Sequence, residues 1–159
     1  MHLAKTMRLD ISDKKIFSNP AEPGEWAITG TFSYVNVDYG GLNSKEKIAY
    51  KSGWLGLGSF GRSTLVCVTV INEFEIQQII HNLAEYIFRE FKAPNMLDEL
   101  DAARHEVSDM SVLCDHPTGT LLAIGREFDD IGIKEQVGKI QNSNDENHAR
   151  IWEITPEDT

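Results

Sequence analysis

Hydrophobic positions in the middle of the chain first follow the pattern of a buried strand and then that of helices. Residues 64–71 are almost continuously apolar and β-branched, as in a strand covered on both faces, so we place this strand at the centre of a sheet. Apolar side chains then recur every three or four positions within 72–92 and again within 96–113. The break at 93–95 separates the two segments, which predicts a helical hairpin.

The first third of the chain alternates apolar and polar positions, as half-buried strands do. This alternation predicts one strand over residues 7–11 and another within 25–35. Two prolines and a glycine in 19–24 supply the turn residues between them. The chain is therefore expected to begin with a hairpin-like pair of strands.

Two further elements complete the expected fold. A short helix is predicted over 43–52, with Asn43 or Ser44 as its N-cap. A terminal hairpin is predicted from the apolar run after residue 120 and a return strand over 133–137. Helices thus lie between strands without strict β-α-β alternation, which indicates the α+β class. We expect a mixed or antiparallel sheet of about five strands with the helical hairpin packed on one face.

Length and charge restrict the organisation of the chain. Its 159 residues suit one domain, which we place at 1–141, followed by an acidic C-terminal tail at 142–159. The net charge of −10 repels nucleic acid and anionic membranes, so neither is expected as a partner. The tail reads as a solvated segment, or as a docking arm because Ile151, Trp152 and Ile154 interrupt its acids.

Cysteine content and the first residues indicate a cytoplasmic protein. Two cysteines are too few for a disulfide framework in a chain of this size. Residues 1–10 show no continuous apolar segment of the kind that a secretory signal has. No stretch approaches the ~20 apolar residues that span a bilayer.

The most conspicuous motif is the segment 56–61, which satisfies the pattern G-x-G-x-x-G. In a dinucleotide site such glycines follow a strand and open a helix, whereas here we expect them to follow a helix and open a strand. The structural interpretation is a tight helix-to-strand crossing that needs missing Cβ atoms. The alternative is a ligand-binding loop, with candidate binding residues Gly56, Gly58 and Gly61.

A second candidate cluster contains His105, Cys114, Asp115 and His116. If the helix runs through Cys114, nine helical steps of about 100° place His105 and Cys114 on opposite faces, so no metal site is predicted there. No cofactor is predicted either. Cys114 continues the apolar stripe of its helix and reads as a small buried residue. A Cys114–His116 pair in the following turn remains the candidate for catalysis. Cys67, inside the apolar strand, is expected to be structural.

Three segments together resemble an uncharacterised bacterial family, a domain of unknown function: GEWAITG, LGSFGRSTLV and LCDHPTGTL. The family carries no established activity, so the resemblance assigns no functional residues and implies at most an accessory role.

No catalytic constellation is complete in this sequence, so a catalytic role is the less favoured interpretation. We expect a cytoplasmic accessory or protein-interaction factor with a protein partner, and a homodimer is plausible. The alternative is a small-ligand-binding protein or enzyme in which the loop 56–61 and the turn 114–116 share a cleft.

Overall fold

The structure is a computed structural model of the chain. It describes residues 1–8, 12–91, 96–129, 131–143 and 151–156.

Helices and strands mix in an α+β fold, as the sequence predicted. The helices are α1 (Ser12–Ile16), α2 (Ser44–Ser52), α3 (Glu73–Phe91) and α4 (Met96–Leu113). The strands are β1 (His2–Met7), β2 (Trp26–Ile28), β3 (Trp54–Gly56), β4 (Arg62–Ser63), β5 (Leu65–Val70), β6 (Leu121–Asp129), β7 (Gly132–Ser143) and β8 (Ile151–Pro156).

These strands form one curled sheet in the order β4-β3-β2-β1-β5-β6-β7-β8, and every neighbouring pair is antiparallel. Seven strands have three residues or more, and the two-residue β4 adds an eighth at one edge. The expected number of about five was therefore too low. Strand β5 lies inside the sheet between β1 and β6, where the apolar run placed it.

Capping explains why two of the helices begin where they do. The Asn43 side chain accepts a hydrogen bond from the Glu46 amide, and the Glu46 side chain accepts one from the Asn43 amide. Asn72 and Glu75 make the same reciprocal contacts at the start of α3, although the second bond is long. Both starts, and the bounds of α4, confirm the predictions made from the sequence.

Helices α3 and α4 share one hydrophobic core with the sheet. Their buried stripes include Leu83 on α3 and Met110 on α4, which cluster with Leu3 and Val66 of the central strands. Helix α2 lies against β6 instead. The end of α2 therefore lies close to β6, and the candidate functional site is formed at this contact.

The first third of the chain differs from the prediction. The first strand covers residues 2–7 instead of 7–11, and 9–11 lie outside the described residues. In the predicted strand 25–35 only β2 is extended. Gly30, at φ 75°, then turns the chain into a short 3-10 helix at Thr31–Tyr34. The evenly spaced aromatic residues of this segment therefore lie partly in a strand and partly in a short helix, so their spacing did not distinguish the two.

The end of the chain contributes to the sheet. Strand β7 extends to Ser143, and every residue of β8 pairs with a residue in the last part of β7. The idea that part of 142–159 also docks on a partner stays a prediction. Within the described segments, no helix combines the length and apolar composition needed to cross a bilayer.

Candidate functional site

The glycine motif lies in the loop that joins β3 to β4, and we call residues 56–61 the glycine loop. It connects two antiparallel strands, so the predicted helix-to-strand crossing was wrong; α2 ends before β3 begins. Phe60 adopts a positive φ of 58°, which is uncommon for a bulky residue. The loop is therefore a tight hairpin connection with a left-handed residue near its end.

The side chain of Glu25 fills the glycine loop. Its Oε1 accepts hydrogen bonds from the amides of Gly58 and Ser59, at 2.8 and 2.5 Å. Its Oε2 accepts from the Ser59 hydroxyl and from the Glu22 amide, at 2.7 and 2.6 Å. Successive backbone amides that converge on one anion form the type of nest that binds phosphate elsewhere. Here the anion belongs to the chain itself.

Close packing explains the glycines of this loop. A Cβ on Gly56 would lie 2.7 Å from the Glu25 Oε1, and one on Gly58 would lie 3.0 Å from it. A Cβ on Gly61 would lie 2.6 Å from the Pro20 carbonyl carbon, where only backbone could move. A role for these glycines in holding an external ligand stays a prediction, and in this structure their neighbours are parts of the chain.

The turn after α4 lies elsewhere in the molecule. Cys114 is buried at the end of α4, as its stripe predicted, and the His116 amide donates to the Cys114 carbonyl. Cys114 lines a pocket with Met1 and His2, whereas the glycine loop lines a pocket with α3. The glycine loop and the turn therefore line two different pockets, and a cleft shared by both stays a prediction.

Metal binding has no support among the described residues, which hold no group of three or more histidine, cysteine or carboxylate ligands. Cys67 is half-buried instead of fully enclosed, because alternate residues of β5 face the less covered side of the sheet. A catalytic role for Cys114 with His116 stays a prediction.

Arg126 is unusual for a residue of the sheet, because an arginine is buried there with 2% of its surface exposed. It lies on β6 and reaches the end of α2. Its Nη1 donates to the carbonyls of Tyr50 and Ala49, at 3.0 and 3.3 Å, and its Nη2 donates to the Thr29 carbonyl. Its Nε donates to the Thr31 hydroxyl at 2.7 Å. Backbone oxygens thus replace water around this charge.

Arg62 lies on β4, at one edge of the sheet, and its side chain comes close to that of Arg126. Its Nη2 donates to the Ser33 hydroxyl at 2.6 Å, and its Nη1 donates to the Gly53 carbonyl at 3.3 Å. Both guanidinium carbons lie over the ring of Tyr34, 4.6 Å from its centroid for Arg62 and 5.3 Å for Arg126. Each distance is within the ~6 Å at which a cation is attracted to an aromatic face.

Three tyrosines and two arginines therefore form one unit, which we call the arginine–tyrosine cluster. The ring of Tyr50 lies 4.9 Å from Tyr34 and 5.1 Å from Tyr39, measured between centroids. Its members are Tyr34, Tyr39, Tyr50, Arg62 and Arg126.

The described residues supply no direct counter-ion to the positive charge of this cluster. Among residues 1–8, 12–91, 96–129, 131–143 and 151–156, neither guanidinium forms an ion pair. Glu135 reaches Arg126 only through the Thr31 hydroxyl, which accepts from the Arg126 Nε and donates to the Glu135 carboxylate. Burial, followed by repulsion from Arg62, lowers the pKa of Arg126 to about 10. Burial also lowers the pKa of Arg62. Both shifts express the cost of desolvating a positive charge, and the shift of Arg126 also expresses repulsion from Arg62.

A cavity of about 270 Å³ opens beside Arg62 and Tyr34, and we call it the Arg62 pocket. Phe60 and Tyr86 stack on each other at its wall, with ring centroids 4.0 Å apart and planes within 3°. Its lining residues are Phe17, Ser18, Asn19, Tyr34, Val37, Leu42, Lys45, Glu46, Ala49, Phe60, Arg62 and Tyr86. A cavity with aromatic walls and a few cationic groups is the usual form of a small-ligand site.

Sequence reasoning missed this site. One signal was available: Leu122, Ile124 and Arg126 alternate along β6, so an arginine occupies a position of the apolar face. An arginine at such a position is rarely buried without a specific partner. The approach of Arg62 to Arg126 had no local signal, because it depends on the curl of the sheet.

Comparison with known proteins identifies the family of the chain. No curated protein and no solved structure is similar enough to the chain to count as a match. The model of a family of unknown function, DUF6505, matches residues 1–153. The chain therefore belongs to this family of unknown function, which confirms the resemblance seen in the sequence.

Proposed function

We propose that this protein binds a small anionic ligand, and that the ligand occupies the Arg62 pocket. The observation that carries this proposal is the pair of desolvated guanidiniums, Arg62 and Arg126, without an ion-pair partner in the described part of the chain. Arginine is the residue that proteins use most for planar recognition of carboxylate and phosphate groups.

The electrostatics of the molecule support this location. The chain as a whole carries a charge of −10, so an anion approaching most of its surface is repelled. At the Arg62 pocket, two cationic side chains, Arg62 and Lys45, line one cavity. An anion placed there would neutralise repulsion between the two arginines, and its own charge would be attracted more strongly than in water because the site is partly desolvated.

The proposal is for binding instead of catalysis. The charged and aromatic groups described around this pocket attract and orient an anion, and each polar contact of Arg62 serves to hold the guanidinium in place. In this proposal the ligand binds in the Arg62 pocket, and not at the glycine loop or the turn 114–116 to which the sequence pointed.

Ligand-observed NMR against a library of small carboxylates, phosphates and neutral amides tests the proposal. We expect anionic compounds to bind the native protein and to be lost in Arg62→Met. The control is Arg104→Met, which removes an exposed arginine that pairs with Asp101 on the same helix. The proposal fails if no compound binds, or if Arg62→Met and Arg104→Met bind the same compounds equally.

A second candidate is the accessory role in which the protein binds another protein or a second copy of itself in the cytoplasm. Three exposed apolar side chains favour it: Met1, Val70 and Val112, exposed by 63, 61 and 70%. Val70 pairs with His2, next to Met1, and Met1 lines one pocket with Val112. Apolar groups that are clustered at a surface are typical of interaction sites.

Sedimentation velocity at several concentrations tests the homodimer. We expect a concentration-dependent dimer that Val112→Glu dissociates, while Ser108→Glu, on another exposed position of α4, leaves it intact. A monomer at every concentration would contradict self-association through this surface.

A further inference from the structure

The Arg62 pocket also indicates the chemical class of its ligand, and this step rests on the proposed function. We propose that the ligand is a monocarboxylate with a flat apolar body, whose carboxylate pairs with Arg62 and whose body contacts the aromatic wall.

The charge of the lining favours a single negative charge. Arg62 and Lys45 contribute two positive charges to the pocket, and Glu46 contributes one negative charge. Glu46 is held at the start of α2, because its carboxylate accepts the amide of Asn43 in the capping box. Arg126 does not line this pocket, so the net charge of the lining is +1, which one carboxylate neutralises. A dianion such as a phosphate monoester would leave an excess of negative charge beside Glu46.

Hydrogen-bond donors of Arg62 match a carboxylate in number. A guanidinium has five N–H donors. The bonds to the Gly53 carbonyl and the Ser33 hydroxyl use two of them, and these bonds keep the group beside the Tyr34 ring. Three N–H donors are then left for a ligand, and a carboxylate needs two in a bidentate pair. Arg126, in contrast, already donates to three carbonyls and one hydroxyl.

The walls favour a flat body. Most lining residues are apolar or aromatic, and the stacked pair Phe60–Tyr86 offers a planar surface close to Arg62. Phe60 has a positive φ near the end of the glycine loop, and its ring forms part of the pocket wall. A planar ring can stack on this surface or meet it edge to face, and either arrangement adds attraction beyond simple burial.

Size limits the ligand to a small one. The cavity volume of about 270 Å³ lies below the ~300–1,000 Å³ of pockets that hold drug-sized molecules. A single ring with a carboxylate is compatible with this volume, whereas a nucleotide is too large to be enclosed.

Titration of the native protein with benzoate, benzamide and inorganic phosphate, followed by NMR, tests this class. Benzoate and benzamide share a flat ring and differ in charge, whereas phosphate carries charge without a ring. We expect benzoate to bind at least tenfold more tightly than either, with the largest shifts at the rings of Phe60 and Tyr86. Arg62→Met should weaken benzoate at least tenfold, and Arg104→Met should not.

Each outcome separates the class from the function. Equal binding of benzamide and benzoate, or tighter binding of phosphate, would overturn the monocarboxylate while leaving a ligand site in place. Absence of binding by all three, together with an empty result from the library, would overturn both. If Arg62→Met does not fold, Lys45→Met, at an exposed position of α2, replaces it: a loss of two- to threefold for benzoate and none for benzamide is expected.

Discussion

The glycine loop and the arginine–tyrosine cluster are both concentrations of hydrogen-bond donors, and they differ in what the rest of the chain offers them. In the glycine loop, the amides of Gly58 and Ser59 converge on the carboxylate of Glu25. In the cluster, Arg62 and Arg126 meet carbonyls, hydroxyls and an aromatic ring, and form no ion pair within the described ranges.

This difference teaches that the more recognisable motif is the less available one. The glycine loop matches a known nucleotide-binding pattern, yet its donors are already used to hold β2 to the β3–β4 hairpin. The two arginines match no linear motif. Their positive charges have no ion-pair partner in the described ranges, so an external anion would supply the counter-ion that these residues lack.

The largest effect should come from removing the charge that is buried most deeply. Arg126→Met removes the guanidinium that donates to the carbonyls of Thr29, Ala49 and Tyr50, and we expect a loss of about 3–5 kcal/mol in the free energy of unfolding. Urea denaturation measures it. Arg104→Met, the control on an exposed helix face, should change stability by less than ~0.5 kcal/mol. A loss of the same size in both variants would mean that the carbonyl contacts contribute little.

A smaller effect should follow from adding a Cβ at the end of the glycine loop, where the loop packs closely against the neighbouring backbone. In Gly61→Ala the new Cβ meets the backbone at Asn19, Pro20 and Ala21, within 2.6–2.7 Å, so we expect a loss of about 2–3 kcal/mol. Gly125→Ala is the matched control, since no atom lies within 4 Å of its Cβ position. Chemical denaturation of the two variants compares them directly. Equal stability of both would contradict the packing explanation for Gly61.

Removing the internal anion tests whether the loop is a filled nest. Glu25→Ala deprives Gly58, Ser59 and Glu22 of their acceptor, and because water reaches these exposed bonds we expect a loss of about 1–2 kcal/mol. Thermal unfolding with added acetate, against sodium chloride of equal ionic strength, gives the second readout. Acetate should recover part of the loss in this variant and do little for the native protein. No recovery would mean that the loop needs the tethered carboxylate and is no general anion site.

An effect similar in size to that of Glu25→Ala, but dependent on pH, is expected from Glu106 on α4. Burial, followed by repulsion from Asp109 and Glu135, raises the pKa of Glu106 to about 7, while His105 lowers it. The folded protein therefore holds this proton more tightly than the unfolded chain does between about pH 4.5 and 7, so folding is favoured at the acidic end of that window and stability declines as the pH rises through it. Glu106 is partly exposed, and solvent screening reduces the expected decline to about 1–2 kcal/mol.

Denaturation at pH 5 and pH 8 measures this decline, with Glu106→Gln as the test and Glu127→Gln, at an exposed position of β6, as the control. The pH-dependent loss should be smaller in Glu106→Gln than in the native protein and unchanged in Glu127→Gln. Parallel pH profiles for all three proteins would assign the pH dependence to other groups.

Elements that depend on local interactions were predicted well. The limits of α2, α3 and α4 follow from side-chain spacing and from caps such as Asn43 and Asn72, which act within four residues. Strand β1 was misplaced because Leu3 and Ala4 are both buried although successive side chains point to opposite faces of the sheet, so the strand shows no simple alternation of apolar and polar positions. Its burial is a property of the assembled sheet.

The candidate site was beyond prediction for a related reason. Arg62 and Arg126 are far apart in the chain and meet only because the sheet curls and α2 packs against β6. Sequence reasoning could identify the glycines as permissive positions, but it could not identify Glu25 as their partner, since that contact spans more than thirty residues.

The central place of β1 has a consequence for synthesis of the protein on the ribosome. Each residue of β1 pairs with a residue of β5 that lies 58 to 68 positions later in the chain. At the usual 5–20 residues per second, roughly 3–14 s pass between emergence of the two partners. During that interval β1 presents an unpaired edge, which is a template for association with other chains. Nascent chains that end before Leu65 should therefore require a chaperone, whereas chains that include β5 can close the middle of the sheet.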